Sequence, residues 1–259
     1  IDTRNYRVVT RFSKFFNLPE LSHLFSQIAA FHAMDKSAEL PDFNGYTDCV
    51  IERYSELEQY MLLLSARSEM IRSHEVEKFE DNMLKVSTDG RKAALDLRLV
   101  DILQPEKSSK VKKCVDNVWD LYNRYPGCSQ LVFCDYSTPK SEEFNVYQAV
   151  KEGLVTLGVK EKEIAFIHSY HTEERKLKLF AEVNSGKVRV LIGSTFKLGI
   201  GSNVQTVLKA IHHLDVPWRP ADMVQREGRL IRQGNKNNRV FRYRYITAGT
   251  FDAYSWQIV

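Results

Sequence analysis

The stretch KVRVLIGSTFKLGIGSNVQTVLKAIHHLDVPWRPADMVQREGRLIRQGNKNNRVFRYRY, residues 187–245, holds three short apolar runs, Val188–Ile192, Ala210–Leu214 and Val240–Tyr245. Runs of this length, bounded by glycine, proline and asparagine, read as buried strands, whereas Ala221–Ile231 between them has helical spacing. Strand, polar loop, strand, helix, strand is the pattern of parallel α/β units. Working outward, Gln130–Cys134 and Glu163–Ile167 are two further strands, and Lys113–Arg124, Glu142–Leu157, Thr172–Ser185 and Phe251–Ile258 are helices. The expected fold class is α/β: an open parallel sheet flanked by helices, occupying residues 105–259 and set off by the polar break QPEKSSK at 104–110.

Upstream, residues 1–104 read as a mainly helical extension, a linker or protrusion. An amphipathic helix opens near Pro19, and Leu40–Gly45 forms a polar turn. Tyr54, Leu57, Met61, Leu64, Ile71 and Phe79 recur at roughly helical spacing, giving one long or two shorter helices. Thr88-Asp89-Gly90 reads as a polar turn carrying Arg91 and Lys92.

With 259 residues, 43% hydrophobic and 27% charged, the chain can bury a core, which excludes wholesale disorder. No apolar run reaches the length of a membrane span, and the start of the chain lacks a signal peptide and suggests the edge of a fragment. Cys49, Cys114, Cys128 and Cys134 form no C-x-x-C pair, which fits scattered thiols in a reducing cytoplasm better than a zinc site. His168 and His171 lack accompanying metal ligands, so no metal is expected. The net charge of +4 is uneven: Met223–Tyr245 carries seven basic residues against Glu227 alone, 7 − 1 = +6.

In an open parallel sheet, binding groups gather beyond the strand C-termini. Here those loops are 135–140, 168–173, 193–203 and 215–222. The third packs Gly193, Gly199, Gly201 and Ser202 together, a composition suited to tight turns and exposed N–H groups, but it is not a phosphate-binding G-x-x-x-x-G-K-[ST] loop. Beyond it, Arg226, Arg229 and Arg232 recur every third residue, so one helix from Pro220 would carry all three on a broad face. Guanidinium forks suit phosphate oxygens, and a cation supplied from outside a phosphate loop can stabilise a transferring phosphoryl group. Trp218 and the aromatics of Phe241–Tyr245 are expected in the core, with Arg242 and Arg244 solvated on the opposite strand face.

STFKLGIGSNVQT at 194–206 followed by HHLDVPWRPADMVQREGRLIRQGN at 212–235 resembles the two ordered motifs of the C-terminal RecA-like lobe of superfamily 2, SNF2-like helicases and translocases. The likeness is to the kind found in large phage or mobile-element helicase/DNA-methylase proteins. QLVFCDYST at 130–138, IAFIHS at 164–169, DNMLKVSTDGRKAALDLRLV at 81–100 and the final GTFDAYSWQIV extend it. The resemblance implies a RecA-like lobe that supplies Gln225, Arg229 and Arg232 to ATP and Mg2+ held mainly by another lobe, with Arg232 the first choice for the γ-phosphate. It implies that Gly199, Gly201, Asn203 and Gln205 couple the nucleotide cleft to nucleic acid. Ser194, Thr195, Lys197 and His168, and the basic pair Arg91 and Lys92, would contact DNA, and the SNF2-like resemblance implies duplex DNA.

The family engine also needs a phosphate-binding lysine loop and an acidic motif, and this chain has neither. Alone, then, it is expected not to hydrolyse ATP or to hold nucleotide tightly. The implied partners are DNA, an N-terminal RecA-like lobe of the same polypeptide and a linked DNA methylase, with no membrane. The competing reading is a non-catalytic nucleic-acid-binding scaffold built on the same fold.

Overall fold

The computed structural model describes residues 17–29, 39–103, 109–139, 144–199 and 201–258. Residues 1–38 and 39–259 form separate units. Within the first, α1 (Leu18–Ile28) opens with a proline in its first turn, as its sequence predicts, and none of its side chains is buried.

The second unit is built on a parallel sheet. Its strands are β1 (Asp42–Phe43), β2 (Thr47–Ile51), β3 (Ser129–Phe133), β4 (Ile164–Phe166), β5 (Val190–Gly193), β6 (Leu208–His213) and β7 (Arg239–Thr247). The order is β1-β7-β6-β3-β5-β4, with β2 also paired to β7. Every pairing is parallel, so the C-terminal ends of β3, β5 and β6 open onto one edge. The helices are α2 (Ser55–Arg72), α3 (Met83–Leu95), α4 (Lys110–Arg124), α5 (Val146–Thr156), α6 (Glu173–Asn184), α7 (Thr195–Gly199), α8 (Pro220–Glu227) and α9 (Phe251–Ile258).

Strand alternation divides the core between the two sheet faces. Val132, Val190 and Ile192 join Cys114, Val118, Val150 and Leu154 of α4 and α5. Leu131, Phe133 and Leu191 turn to the other face, against Leu179, Val183 and Leu198 of α6 and α7. Both faces being covered explains why these strands read as continuous apolar runs. This is the RecA-like parallel sheet flanked by helices that the sequence predicts.

The region expected to be mainly helical also contributes strands. Residues 42–51, read in part as a polar turn, lie along β7 in two short pieces, and Cys49 and Ile51 are buried there. Their brevity left no periodic signal. The turn expected at Thr88-Asp89-Gly90 is instead the interior of α3, with Asn82 as its N-cap accepting from the backbone of Leu84 and Lys85. Leu57, Tyr60 and Leu64 of α2 pack on Val86 and Ala93 of α3 in a smaller core of their own.

Candidate functional site

Arg226 lies on α8 and its side chain is 0% exposed. Its Nε donates to Thr195 Oγ1 at 2.8 Å, its Nη1 to the Asp215 carbonyl at 2.9 Å, and its Nη2 to Asp135 Oδ2 at 2.7 Å and Asp215 Oδ1 at 3.0 Å. Asp135 follows β3, Thr195 follows β5 and Asp215 follows β6, so one side chain joins three strand-end loops to α8. The loops also bind each other. Asp135 accepts from Thr195 N at 2.6 Å and Thr195 Oγ1 at 2.7 Å, while Asp215 Oδ2 accepts from Asp135 N and, at 3.0 Å, from Tyr136 N.

Two carboxylates share one guanidinium in this buried place. Burial and the nearby Asp135 charge push the Asp215 carboxyl above its usual range, against the opposing pull of Arg226. His213, stacked on Phe133, is held well below its usual range by burial and then by Arg226. Among the described residues no group of three or more His, Cys, Asp or Glu is arranged to hold a metal ion.

The three arginines do not share a helix face. Helix α8 ends at Glu227, and Gly228 caps it with its N–H bonded to the Val224 carbonyl, so Arg229 and Arg232 leave on the turns that follow. The glycine ends the regular spacing on which a single face depends. Gln225 is exposed, one position from the buried Arg226. Arg229 donates from Nη1 to the Ser202 carbonyl at 2.7 Å, and burial followed by Arg232 lowers the pKa of its guanidinium. Arg232 is partly exposed and makes no ion pair with any described residue.

The glycine-containing connection begins as α7. Ser194 and Thr195 are buried, and Ser194 Oγ lies 3.4 Å from His168 Nε2. Lys197 is partly exposed. His168 packs edge-on against Tyr147, and burial followed by Lys197 lowers its pKa. Gly199 ends α7, Gly201 takes φ +70° on the exposed turn, and Asn203 is exposed while its carbonyl accepts from Asn184 Nδ2 at 2.7 Å. Gln205 is partly buried. Arg91 is buried, with its guanidinium 3.9 Å from the Trp218 ring and 4.7 Å from that of Tyr136, and it donates to the Val216 carbonyl. Lys92 lines a cleft of about 780 Å³ with Arg98, Asp135, Tyr136 and Ser137.

Two expectations about the aromatics and arginines are corrected. Trp218 is 63% exposed rather than in the core, because its ring lies over Arg91 on the loop beyond β6. Neither Arg242 nor Arg244 is a free solvated cation: Arg242 is buried and pairs with Glu227 at 2.8 Å, and the partly exposed Arg244 pairs with Asp48 at 2.6 Å while lying 4.0 Å over the Tyr46 ring. The chain at 42–51, alongside β7, supplies Asp48 and Tyr46 to Arg244, while Glu227 reaches Arg242 from the end of α8. The excess positive charge of 223–245 is thereby narrowed, since Arg226, Arg242 and Arg244 all have carboxylate partners.

The fold, the strand-end loops and the arginine turns coincide with a known family. Residues 109–234 match the helicase conserved C-terminal domain. This segment is similar to that family, over just under half of the chain. The chain is also 35% identical over 77 residues to the "Defense against restriction protein B" of Escherichia phage P1, a match covering 30% of this chain and 3% of that protein's length. Among solved structures, the C-terminal part of the Fun30 ATPase domain aligns at 17% identity with a TM-score of 0.47, covering 61% of this chain and 48% of the other. The DUF1998 helicase MrfA bound to DNA aligns at 14% identity with a TM-score of 0.43, covering 56% and 19%. The matched segment spans the strand-end loops and all three arginines, while α2, α3 and β7 lie outside it.

Spacing alone did not separate Arg226 from Arg229 and Arg232, the resemblance gave it no role, and neither singled out Asp135 or Asp215. One signal was available: an Asp just after each of two short runs read as buried strands, followed by an Arg in a helix with apolar Met223 and Leu230 nearby, is the arrangement that a buried pair requires.

Proposed function

We propose that this chain is the second motor lobe of an ATP-dependent DNA translocase. Gln225, Arg229 and Arg232 act on the phosphates of ATP and Mg2+ held by another RecA-like lobe, and the connection at 194–205 grips the DNA backbone. The observation that carries the reading is Arg232, a cation without an ion-pair partner among the described residues. It stands beyond α8, three residues after an arginine that holds the 201–203 turn. Such a cation suits the charge that develops on a transferring phosphoryl group, and bound ATP would supply that group with its metal.

Within the lobe, Arg229 links the arginine turn to the Ser202 carbonyl, and Gly201 leaves backbone at the surface for close approach to phosphate. Contacts of this kind are to the backbone and carry little base information. SNF2-like resemblance favours duplex DNA, and the phage P1 relative, named for defence against restriction, is in keeping with a large mobile-element protein. A linked DNA methylase belongs to the same proposal.

The test is ATP turnover by the full-length polypeptide with and without duplex DNA. DNA-stimulated turnover is expected in the wild type, and Arg232→Ala is expected to lower kcat by about a thousandfold with DNA affinity retained. Unchanged turnover in that variant would remove Arg232 from the phosphate site. A wild type that binds DNA without turnover would leave the scaffold reading in its place.

A further inference from the structure

We propose that Arg226 is a positioning residue that couples the DNA-facing connection at 194–203 to the phosphate-facing turn at 228–232. This inference rests on the motor reading and adds the route by which one surface of the lobe controls the other. Arg226 touches neither ligand surface. Its side chain is 0% exposed, and its partners are Asp135, Thr195 and Asp215, with His213 Nδ1 3.5 Å from Nη1.

The geometry favours coupling over simple core packing for two reasons. A core arginine needs one carboxylate, whereas this one has two, placed on different loops, and a third loop is joined through Thr195. The network also reaches both functional segments within a few residues. Thr195 is the first residue of α7, at the start of the 194–203 connection, and Arg226 lies one turn before Arg229, which itself bonds to Ser202 at the far end of that connection. The connection is therefore fastened at both ends to the segment that carries the arginines. A displacement of α8 toward a phosphate group must move Thr195 and Ser202 with it or break several charge-assisted bonds in a buried place.

Only a planar fork satisfies these acceptors together. Lysine at 226 would keep the charge but present a single ammonium, unable to span Thr195 Oγ1, Asp135 Oδ2 and the Asp215 carbonyl at once. Loss of the fork should uncouple the two segments without removing a group from either surface.

The experiment compares Arg226→Lys with wild type in the full-length polypeptide, measuring turnover without DNA and over a DNA titration, together with hydrogen exchange of residues 194–203 and 228–232. The expected result is a fall of about tenfold in the DNA stimulation of kcat, with the KM for ATP and the half-saturating DNA concentration unchanged. Exchange in the two segments should rise together. Equal loss of stimulated and unstimulated turnover would mark a merely structural residue and overturn the inference, as would undiminished stimulation. If Arg226→Lys fails to fold, Asp135→Asn carries the same test, because it keeps the shape of the site and the Arg226–Asp215 pair while weakening the link to the β3 loop. Absence of ATP turnover in the wild type counts against the motor reading alone. The coupling is then decided by exchange, and a variant in which either segment keeps wild-type protection refutes it.

Discussion

Gly90 occupies the interior of α3, where glycine costs about 1 kcal/mol relative to alanine. A β-carbon there would run into the Phe251 ring of α9 and come within 3.4 Å of Leu64 Cδ1, so the absent side chain is what lets α3 and α9 close on each other. Gly90→Val is expected to destabilise the protein by about 1–3 kcal/mol through overpacking, read as a lower urea midpoint with an unchanged m-value. Wild-type stability would show that α9 can shift aside. The same residue marks a limit of sequence reading. Asp and Gly in succession suggest a turn, and only the neighbour across the fold reveals that the glycine serves packing. Arg226 and Arg232 differ in the same manner: identical in type and regularly spaced, one is enclosed by Asp135 and Asp215 and the other is not.

At the scale of elements, the strands and flanking helices of the sheet were legible because burial on both faces writes itself into uninterrupted apolar runs. The pairing of residues 42–51 with β7 was not, since a two-residue and a five-residue strand at an edge carry little pattern. Strand β6 carries the clearest electrostatic consequence. His212 lies between Tyr245 OH and Gln130 Oε1, each 2.9 Å away, and burial lowers its pKa to about 3; His213 beside it is shifted in the same direction. A histidine with a depressed folded pKa is neutral in the native state while the unfolded chain takes up a proton below pH about 6.5. Its contribution to stability is therefore present above that pH and is lost as pH falls toward the folded value. Between pH 7.5 and 5, His212 is expected to withdraw about 2 kcal/mol. Urea unfolding at the two pH values measures the total, and His213→Phe, which keeps the ring stacked on Phe133, should show a shallower pH dependence than wild type. An imidazole resonance of His212 titrating near pH 6.5 in the folded protein would contradict the assignment.

Across the whole molecule, charge is organised more narrowly than the +4 total suggests. Three of the seven basic residues in 223–245 are neutralised within the fold, by Asp135 and Asp215, by Glu227 and by Asp48. Asp48 and Asp135 lie far from their partners in the sequence and Asp215 falls just before the counted segment, which is why a local count overstated the basic surface. What is left for an external polyanion is a small set that includes Arg232 and Lys236, together with Lys197 on α7. On the proposed function, a grip on duplex DNA through these few cations should show a salt dependence set by the number of phosphates contacted, and little regard for base sequence. Replacing Lys197 with alanine should lower the slope of log affinity against log salt by about 1 and weaken binding similarly on duplexes of different sequence. Fluorescence anisotropy with two unrelated duplexes over a salt series measures both quantities. A slope unchanged by the substitution would place the DNA away from α7, and a loss confined to one duplex would mean that Lys197 reads bases rather than phosphate.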